Sequence, residues 1–318
     1  MSAVTPRTAL LMTLPPLLWA GNAVVGRLLV GSVPPIALNF LRWALAALIL
    51  LPLGWRVLRR RREIAARWPY LLALGLLGVS TYNSMQYLAL VTSTPINVTL
   101  IAASMPAWML AVGWACYGER PAARQLAGAA LSIAGVLLVI ARGDPAALAR
   151  VAFVRGDLYM LLAIVAWSFY SWLLVRPPVV GGPAGGDDGG TAAPPWTWAE
   201  FLLAQTLFGT LALAVAAGGE AATGAGPIRW SGWVVAALVY VAVGPSVIAY
   251  RCWGLGVATG GPALAAFFSN LTPVFAALLS AALLGETPRW YHAVAFVLIV
   301  AGIVVSSGRR PADRPAVR

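Results

Sequence analysis

Side chains able to bind a small molecule recur inside the long apolar stretches of this chain. Trp19 and Asn22 are three residues apart and Tyr82 and Gln86 are four apart, so each pair would share one face of a helix. Flat aromatic walls with a few hydrogen-bonding groups are typical of a small-molecule site. The alternative is that these residues only pack helices together. The candidate binding residues are Trp19, Asn22, Arg42, Tyr82, Gln86, Trp108, Trp167, Tyr170, Ser171, Tyr250, Trp253 and Asn270.

Arg42 is the candidate that most needs a chemical explanation. Counted from Pro34 at about 1.5 Å per residue, it would lie about 12 Å into a hydrocarbon core about 30 Å thick. No Asp or Glu lies in the middle of any apolar stretch to pair with it. Two interpretations are equally supported. Arg42 could hold the carboxylate of a ligand, or it could tie helix ends together through backbone carbonyls.

The sequence has no arrangement of acidic residues, histidines or cysteines that is typical of a catalytic or metal site. The acidic residues fall in loops or at the ends of apolar stretches, His292 is the only histidine, and Cys116 and Cys252 have no metal-ligand spacing. We therefore expect no catalytic residue, no metal and no cofactor. A membrane enzyme is disfavoured, and a phosphate-binding loop of an ATP-driven pump is not present. The lack of a titratable group within the spans favours facilitated diffusion or exchange over proton coupling.

The elements that must position these residues are membrane helices. Hydrophobic residues make up 60% of the 318 residues and charged residues 10%, with a mean hydropathy of +0.82. Lipid must cover so much apolar surface. The net charge of +12 comes from arginines in loops, which indicates a membrane surface as the partner and not nucleic acid.

Ten apolar segments have spanning length. They cover residues 8–30, 34–55, 68–91, 94–117, 121–141, 157–175, 198–218, 231–255, 261–284 and 288–307. With the N-terminus in the cytoplasm, fourteen arginines fall on the cytoplasmic side and five on the other, so both termini are predicted to be cytoplasmic. We expect an all-α integral membrane protein with ten transmembrane helices.

Residues 75–140 return as residues 242–307, 167 positions later. Because each half would hold five spans, an odd number, the halves must be inverted relative to each other, as in carriers that open a midplane site to one side at a time. We expect repeats at residues 8–141 and 157–307 and a cytoplasmic tail at 308–318. Pro106 and its copy Pro273 are predicted to lie inside their helices and act as hinges.

The repeat also contains Gly-Glu-x-Pro at residues 118–121 and 285–288. The glycines suit a left-handed helix end, and the prolines suit the first turn of the next helix. Glu119 and Glu286 would then lie beside a helix N-terminus. The functional alternative is that these two residues are proton or gate carboxylates.

In these features the chain resembles the drug/metabolite transporter superfamily, and within it the ten-helix EamA-type exporters. The resemblance rests on Leu-Leu-Trp-Ala-Gly-Asn at residues 17–22, the Pro35-to-Arg42 spacing, the duplicated Pro/Gly-Glu pattern, and the Ala-Gly pairs at 134–135 and 301–302. The aromatic-rich spans look most like bacterial aromatic amino acid exporters. The resemblance implies a bacterial inner-membrane exporter of small molecules that works by alternating access. We expect it to act as a monomer. A lipid-headgroup flippase is the alternative with the same fold.

Overall fold

The chain folds as a bundle of helices. The computed structural model describes residues 5–93, 95–150, 154–177, 195–284 and 289–307, and every regular element among these residues is helical. The α-helices are α1 Pro6–Leu28, α2 Pro35–Gly54, α3 Arg61–Leu74, α4 Tyr82–Thr92, α5 Pro95–Ala103, α6 Met105–Tyr117, α7 Ala123–Ile140, α8 Arg155–Val175, α9 Trp198–Ala222, α10 Gly232–Val241, α11 Ala249–Gly260, α12 Pro262–Ser269, α13 Thr272–Leu284 and α14 Trp290–Ser307. Two short 3₁₀ helices cover Trp55–Arg59 and Pro145–Arg150.

Eight helices of the described chain are long and apolar enough to cross a membrane, counting α3–α4 and α10–α11 as one continuous helix each. The all-helical membrane class predicted from the sequence is therefore confirmed. The remaining two predicted spans, 94–117 and 261–284, are each divided into two shorter helices. The division falls at Ser104 in the first and at Asn270 and Leu271 in the second.

Pro106 and Pro273 explain where those two spans divide. The sequence predicted both prolines inside continuous helices, and this expectation is wrong. Each is the second residue of a new helix, α6 or α13. Proline is tolerated in the first turn because its missing N–H has no partner within the helix there. The backbone is consequently interrupted just before both prolines, at positions 167 residues apart.

Two continuous helices also contain a π-helical segment at matching positions. The first π segment is Gly75–Thr81 and the second is Ala242–Ile248, again 167 residues apart. A π segment places an extra residue in the turn and weakens the regular ladder of backbone hydrogen bonds, and such segments are frequent at functional sites. The repeat seen in the sequence therefore extends to the local backbone geometry.

The packing of the helices follows the repeat. Helix α2 packs on α9, α1 on α11, α4 on α8 and α7 on α14. Helices α7 and α14 make the same close contact twice, because a Cβ on Gly135 would lie 2.8 Å from the carbonyl oxygen of Ala295 and one on Gly302 would lie 2.6 Å from that of Gly128. Small residues let membrane helices approach this closely.

The end of α6 tests the prediction for the Gly-Glu-x-Pro motif. Gly118 has a φ of 69° and closes the helix in the left-handed conformation, as predicted. Pro121, however, precedes α7, which begins at Ala123, so its predicted place in the first turn is wrong. Glu119 forms an ion pair with Arg176 at the end of α8. The second copy, residues 285–288, lies outside the described residues, as does the predicted tail 308–318.

Candidate functional site

Arg42 lies fully buried at the centre of a polar network. It is carried by α2 and has 0% of its surface exposed. Its Nε donates to Ser246 Oγ at 2.5 Å, and its Nη1 donates to Asn83 Oδ1 at 2.8 Å and to Tyr87 Oη at 3.1 Å. Its Nη2 is buried without a hydrogen-bond partner in the described chain. Two of the three guanidinium nitrogens, Nε and Nη1, are therefore hydrogen-bonded, and Nη2 remains available as a donor.

The partners of Arg42 bear on the two interpretations of this residue that the sequence left open. It donates to three side-chain oxygens and not to the backbone carbonyls that one interpretation required. It makes no ion pair with a carboxylate of the described residues, although its guanidinium lies 5.3 Å from the centre of the Trp43 ring. A buried cation is costly unless it is paired. The arrangement is thus suited to an anion that is not part of the described chain.

Asn83 and Tyr250 hold the network together across the two copies of the repeat. They are 167 residues apart, and Asn83 Nδ2 lies 3.0 Å from Tyr250 Oη. Both also donate to the carbonyl of Gly78 in the first π segment, Asn83 at 2.9 Å and Tyr250 at 2.5 Å. Two side chains therefore hydrogen-bond to one carbonyl of the π segment. Equivalent positions of the two copies meet at this point.

Side chains also hydrogen-bond to the backbone in and just before the second π segment. Trp19 Nε1 of α1 donates to the Pro245 carbonyl at 3.2 Å, and Ser246 Oγ donates to the Val241 carbonyl at 2.7 Å. On the other side of the network, Tyr87 Oη donates to Asn22 Oδ1 at 2.9 Å. The polar residues near Arg42 thus link α1, α2, α4 and both π segments.

The predicted aromatic residues form one cluster around Trp167. Trp167 is fully buried, and its ring centre lies 5.3 Å from Trp19, 4.7 Å from Tyr82 and 5.3 Å from Trp253. Tyr170 and Tyr250 lie 4.9 Å and 5.2 Å from it. The cluster borders the Arg42 network directly, because the Tyr250 ring also packs at 4.7 Å on Trp43.

Ser171 forms a hydrogen bond with one of the rings of this cluster. Its hydroxyl accepts a hydrogen bond of 3.1 Å from Trp253 Nε1, whereas Trp167 Nε1 is buried without a partner in the described chain. The cluster therefore holds an available indole donor as well as apolar ring faces. An indole N–H of this kind usually has a partner when buried.

A central cavity of about 100 Å³ lies beside the cluster. Trp19, Tyr82, Gln86 and Asn270 line it, together with Pro273 at the interruption between α12 and α13. Asn270 Nδ2 reaches Ser132 Oγ at 2.9 Å and the carbonyl of Ala103 at 3.4 Å, which is a second contact between positions 167 apart. The cavity is thus bounded by both copies of the repeat.

Two larger cavities open at opposite ends of the bundle. The outer cavity, of about 470 Å³, is lined by the α1–α2 connection and by residues 225–227 and 229, with Tyr87 among its walls. The inner cavity, of about 430 Å³, is lined by the ends of α6 and α8, the start of α7 and the α11–α12 turn. We name them for the sides that the arginine bias predicts.

The structure brings most of the predicted binding residues together. Trp19, Tyr82, Gln86 and Asn270 line the central cavity, whereas Trp108 is half-buried, lines none of the three cavities and has no ring contact with the other candidates in the described chain. Pro106 is buried and also lies outside these cavities. Sequence reasoning missed Tyr87 and Ser246, and it did not count Asn83 among the binding residues. A usable signal existed, because Asn83 and Tyr87 are four residues apart and share a helix face beside that of Tyr82 and Gln86.

We predict that Tyr250→Phe destabilises the protein by about 1 kcal/mol, the size of a hydrogen bond between membrane helices. The variant keeps the ring but removes the hydroxyl that bonds to Gly78 and Asn83. Thermal unfolding in detergent measures the loss. Tyr291→Phe is the matched control, since that hydroxyl makes no hydrogen bond to a described residue. Equal midpoints for the two variants would contradict the assignment.

Together, the spanning helices and the buried polar and aromatic centre define a multi-pass membrane protein. The comparison with known proteins shows its family. Residues 6–141 and 192–308 match the model of the EamA-like transporter family, so the chain belongs to that family, within the drug/metabolite transporter superfamily.

Its relatives agree with this assignment. An uncharacterized transporter of Archaeoglobus fulgidus is 25% identical over 96% of this chain and 98% of its own length. The aromatic amino acid exporter YddG of Ancylobacter novellus is 28% identical over 87% of this chain and 89% of its own length. The uncharacterized inner membrane transporter YedA of Escherichia coli strain K12 is 25% identical, with 91% and 87% covered.

A solved crystal structure shares the fold. It has a TM-score of 0.69 and 23% sequence identity, and the match covers 94% of this chain and 96% of the other. The similarity applies to nearly the whole length of both chains.

Proposed function

We propose that this transporter exports small metabolites, namely amino acids with aromatic or apolar side chains, by alternating access around the central site. The observation that carries the proposal is Arg42, a fully buried cation next to a cluster of aromatic rings, whose Nη2 has no hydrogen-bond partner among the described residues. A carboxylate would pair with the guanidinium, and an apolar or aromatic side chain would pack on the rings. One amino acid supplies both groups.

The proposed roles follow the positions of the side chains. Arg42 binds the carboxylate. Trp19, Tyr82 and Trp167 form the wall for the side chain, with Tyr170, Tyr250 and Trp253 behind them. Asn22, Gln86, Ser171 and Asn270 supply hydrogen bonds. The central cavity of about 100 Å³ is smaller than the roughly 300 Å³ or more of ordinary ligand sites, so the rings must separate to admit substrate.

The proposed architecture is ten transmembrane helices in two inverted five-helix repeats with both termini in the cytoplasm. The contacts between Asn83 and Tyr250 and between Ala103 and Asn270 support it, because symmetry-related positions meet only near an axis between the copies. Pro106 and Pro273 follow the two helix interruptions, and we propose that the backbone bends there when the site changes sides. The separate outer and inner cavities would be the two routes of access.

We further propose facilitated diffusion or exchange as the energetic mode. The described carboxylates lie at helix ends or in loops, where Glu200 and Asp157 accept hydrogen bonds from the N-terminal backbone of their own helices. Glu220 likewise accepts from the backbone N–H groups of Ile36 and Ala37 at the start of α2. These carboxylates have structural roles, and none lies beside Arg42.

The test is uptake by proteoliposomes of labelled phenylalanine, leucine, a nucleoside and a sugar, each with and without a pH gradient. We expect phenylalanine and leucine to exchange, with rates that do not depend on the gradient. The matched probe 2-phenylethylamine, which lacks the carboxylate, should not be carried. Uptake that stops without the gradient would overturn the energetic proposal. If no solute is carried but a fluorescent lipid crosses the bilayer, the flippase interpretation replaces the exporter.

A further inference from the structure

The inner cavity has a concentration of positive charge that the central site does not use. Arg120, Arg124 and Arg176 line it, and Glu119 is the one carboxylate among the described residues of its wall. Because Glu119 pairs with Arg176, the remaining two arginines give the cavity an excess of two positive charges. Neither Arg120 nor Arg124 forms an ion pair with a described residue.

Arg124 has a feature that an ordinary surface arginine lacks. Its Nε is buried and has no hydrogen-bond partner in the described chain. Arginines on the cytoplasmic side are expected for any membrane protein, and this expectation accounts for their number. It does not account for a buried donor that lines a cavity, since leaving such a group unsatisfied is costly. The position is explained if a ligand supplies the acceptor.

Apart from Gln125 and Thr259, the side chains in the rest of the wall are apolar. Leu110, Trp172 and Val257 line the same cavity. Trp172 already donates its Nε1 hydrogen to the carbonyl of Met109 at 2.8 Å, and its ring stacks on Tyr117 with centres 5.1 Å apart. The indole therefore offers a ring face and no further hydrogen bond. The cavity volume of about 430 Å³ is within the range of small-molecule sites, about 300 to 1,000 Å³.

Two helices connect this cavity with the aromatic cluster. Trp172 is five residues after Trp167 on α8, a rise of about 7.5 Å at about 1.5 Å per residue. Val257 is four residues after Trp253 on α11, a rise of about 6 Å. A ligand in the inner cavity would therefore lie about one helical turn from the rings of the central site.

We propose that the inner cavity is a second binding site, which takes an organic carboxylate with an apolar body before it reaches Arg42. Arg120 and Arg124 bind the carboxylate, and Trp172 contacts the apolar part. The inference rests on the proposed function, since it names where the same class of substrate first binds on the inner side. Direct binding measurements separate a failure of this site from a failure of the export proposal.

The experiment measures how 3-phenylpropanoate and the neutral 3-phenylpropanol shift the thermal unfolding of the full chain in detergent. We compare the unmodified protein with R120Q/R124Q, R42Q, and the control R61Q/R62Q, which removes two exposed arginines from the same predicted side. We expect R120Q/R124Q to raise the concentration of 3-phenylpropanoate needed for the half-maximal shift at least about tenfold. R61Q/R62Q should retain the full shift, and R42Q should retain the part that depends on Arg120 and Arg124. The alcohol should have little effect.

Transport supplies the second readout. In oriented proteoliposomes, R120Q/R124Q should raise the KM for phenylalanine about tenfold from the inner side, with little change in the KM measured from the outer side. R120K/R124K, which keeps the charges, should restore most of the affinity. If the unmodified protein carries no phenylalanine, the export proposal fails, and the binding measurement still tests the cavity.

Three results would overturn the site. The alcohol could stabilise the protein as strongly as the carboxylate, or R61Q/R62Q could weaken binding as much as R120Q/R124Q. Alternatively, dioleoylphosphatidylglycerol could give a shift that depends on Arg120 and Arg124 while 3-phenylpropanoate gives none. The cavity would then hold a lipid phosphate.

Discussion

Arg42→Gln is expected to reduce phenylalanine transport by about 30-fold or more while the chain still folds. The loss of one partner from a buried, hydrogen-bonded charge pair costs about 2 kcal/mol or more, which corresponds to this factor. The glutamine amide nitrogen corresponds in the side chain to Nε of Arg42, so it can still donate to Ser246 Oγ. It cannot provide the positive charge for a carboxylate. Initial uptake rates in proteoliposomes measure the effect.

The control for Arg42→Gln is Arg251→Gln. Arg251 is also an arginine within a predicted span, but it is partly exposed and lies 4.9 Å from the centre of the Trp198 ring. We expect a change in rate of less than about fivefold there, since a cation–π contact at an exposed site contributes about 0.5 to 1 kcal/mol. If Arg42→Gln gives a folded protein with unchanged transport, Arg42 has no role as a counter-ion.

The sequence singled out side chains that the structure brings together, but it did not indicate the contacts that they make. Trp19, Tyr82, Trp167 and Asn270 were recognisable because polar and aromatic groups are rare in apolar spans and share helix faces. The partners of Arg42 were not recognisable in this way. Ser246 lies 204 residues away in the chain, and only the packing of α2 against the second π segment brings it to Nε.

The backbone interruptions show a second limit. The duplicated prolines marked two special helices, but the sequence placed Pro106 within a helix, whereas the helix ends at Ala103. The residue before a proline disfavours the helical conformation, so an end near Met105 was a reasonable alternative. The sequence contains no comparable signal for the π segments, because one extra residue in a helical turn does not change the amino-acid composition of the span. Their matching positions became visible only in the backbone.

Trp108 shows what the spacing of residues along the chain does not determine. Its position two residues after Pro106 suggested a place in the cavity, yet the side chain is half-buried at the edge of the core. Spacing from a proline does not determine the direction of a side chain once the helix restarts. The rotation of α6 is set by its packing on α8 and α12, which no local pattern contains.

Gly302→Leu is expected to destabilise the protein by about 3 kcal/mol or more, the upper end of the range for overpacking a core. A Cβ at this position would lie 2.6 Å from the carbonyl oxygen of Gly128 and 3.0 Å from the backbone nitrogen of Ser132. Both atoms belong to the backbone of α7, so α7 and α14 would have to separate. The thermal midpoint in detergent and the monodisperse yield from size exclusion measure the effect.

Gly254→Leu is the matched control, because Gly254 is also helical but a Cβ there meets no atom within 4 Å. We expect unchanged or slightly higher stability, since leucine forms helices better than glycine. Gly128→Leu should reproduce the loss seen for Gly302→Leu, because its Cβ would lie 2.6 Å from the carbonyl oxygen of Gly302. Association of membrane helices depends on close packing and not on a hydrophobic driving force, so the lost contact is not regained in lipid. Equal stability of Gly302→Leu and Gly254→Leu would mean that the α7–α14 contact does not hold the two copies of the repeat together.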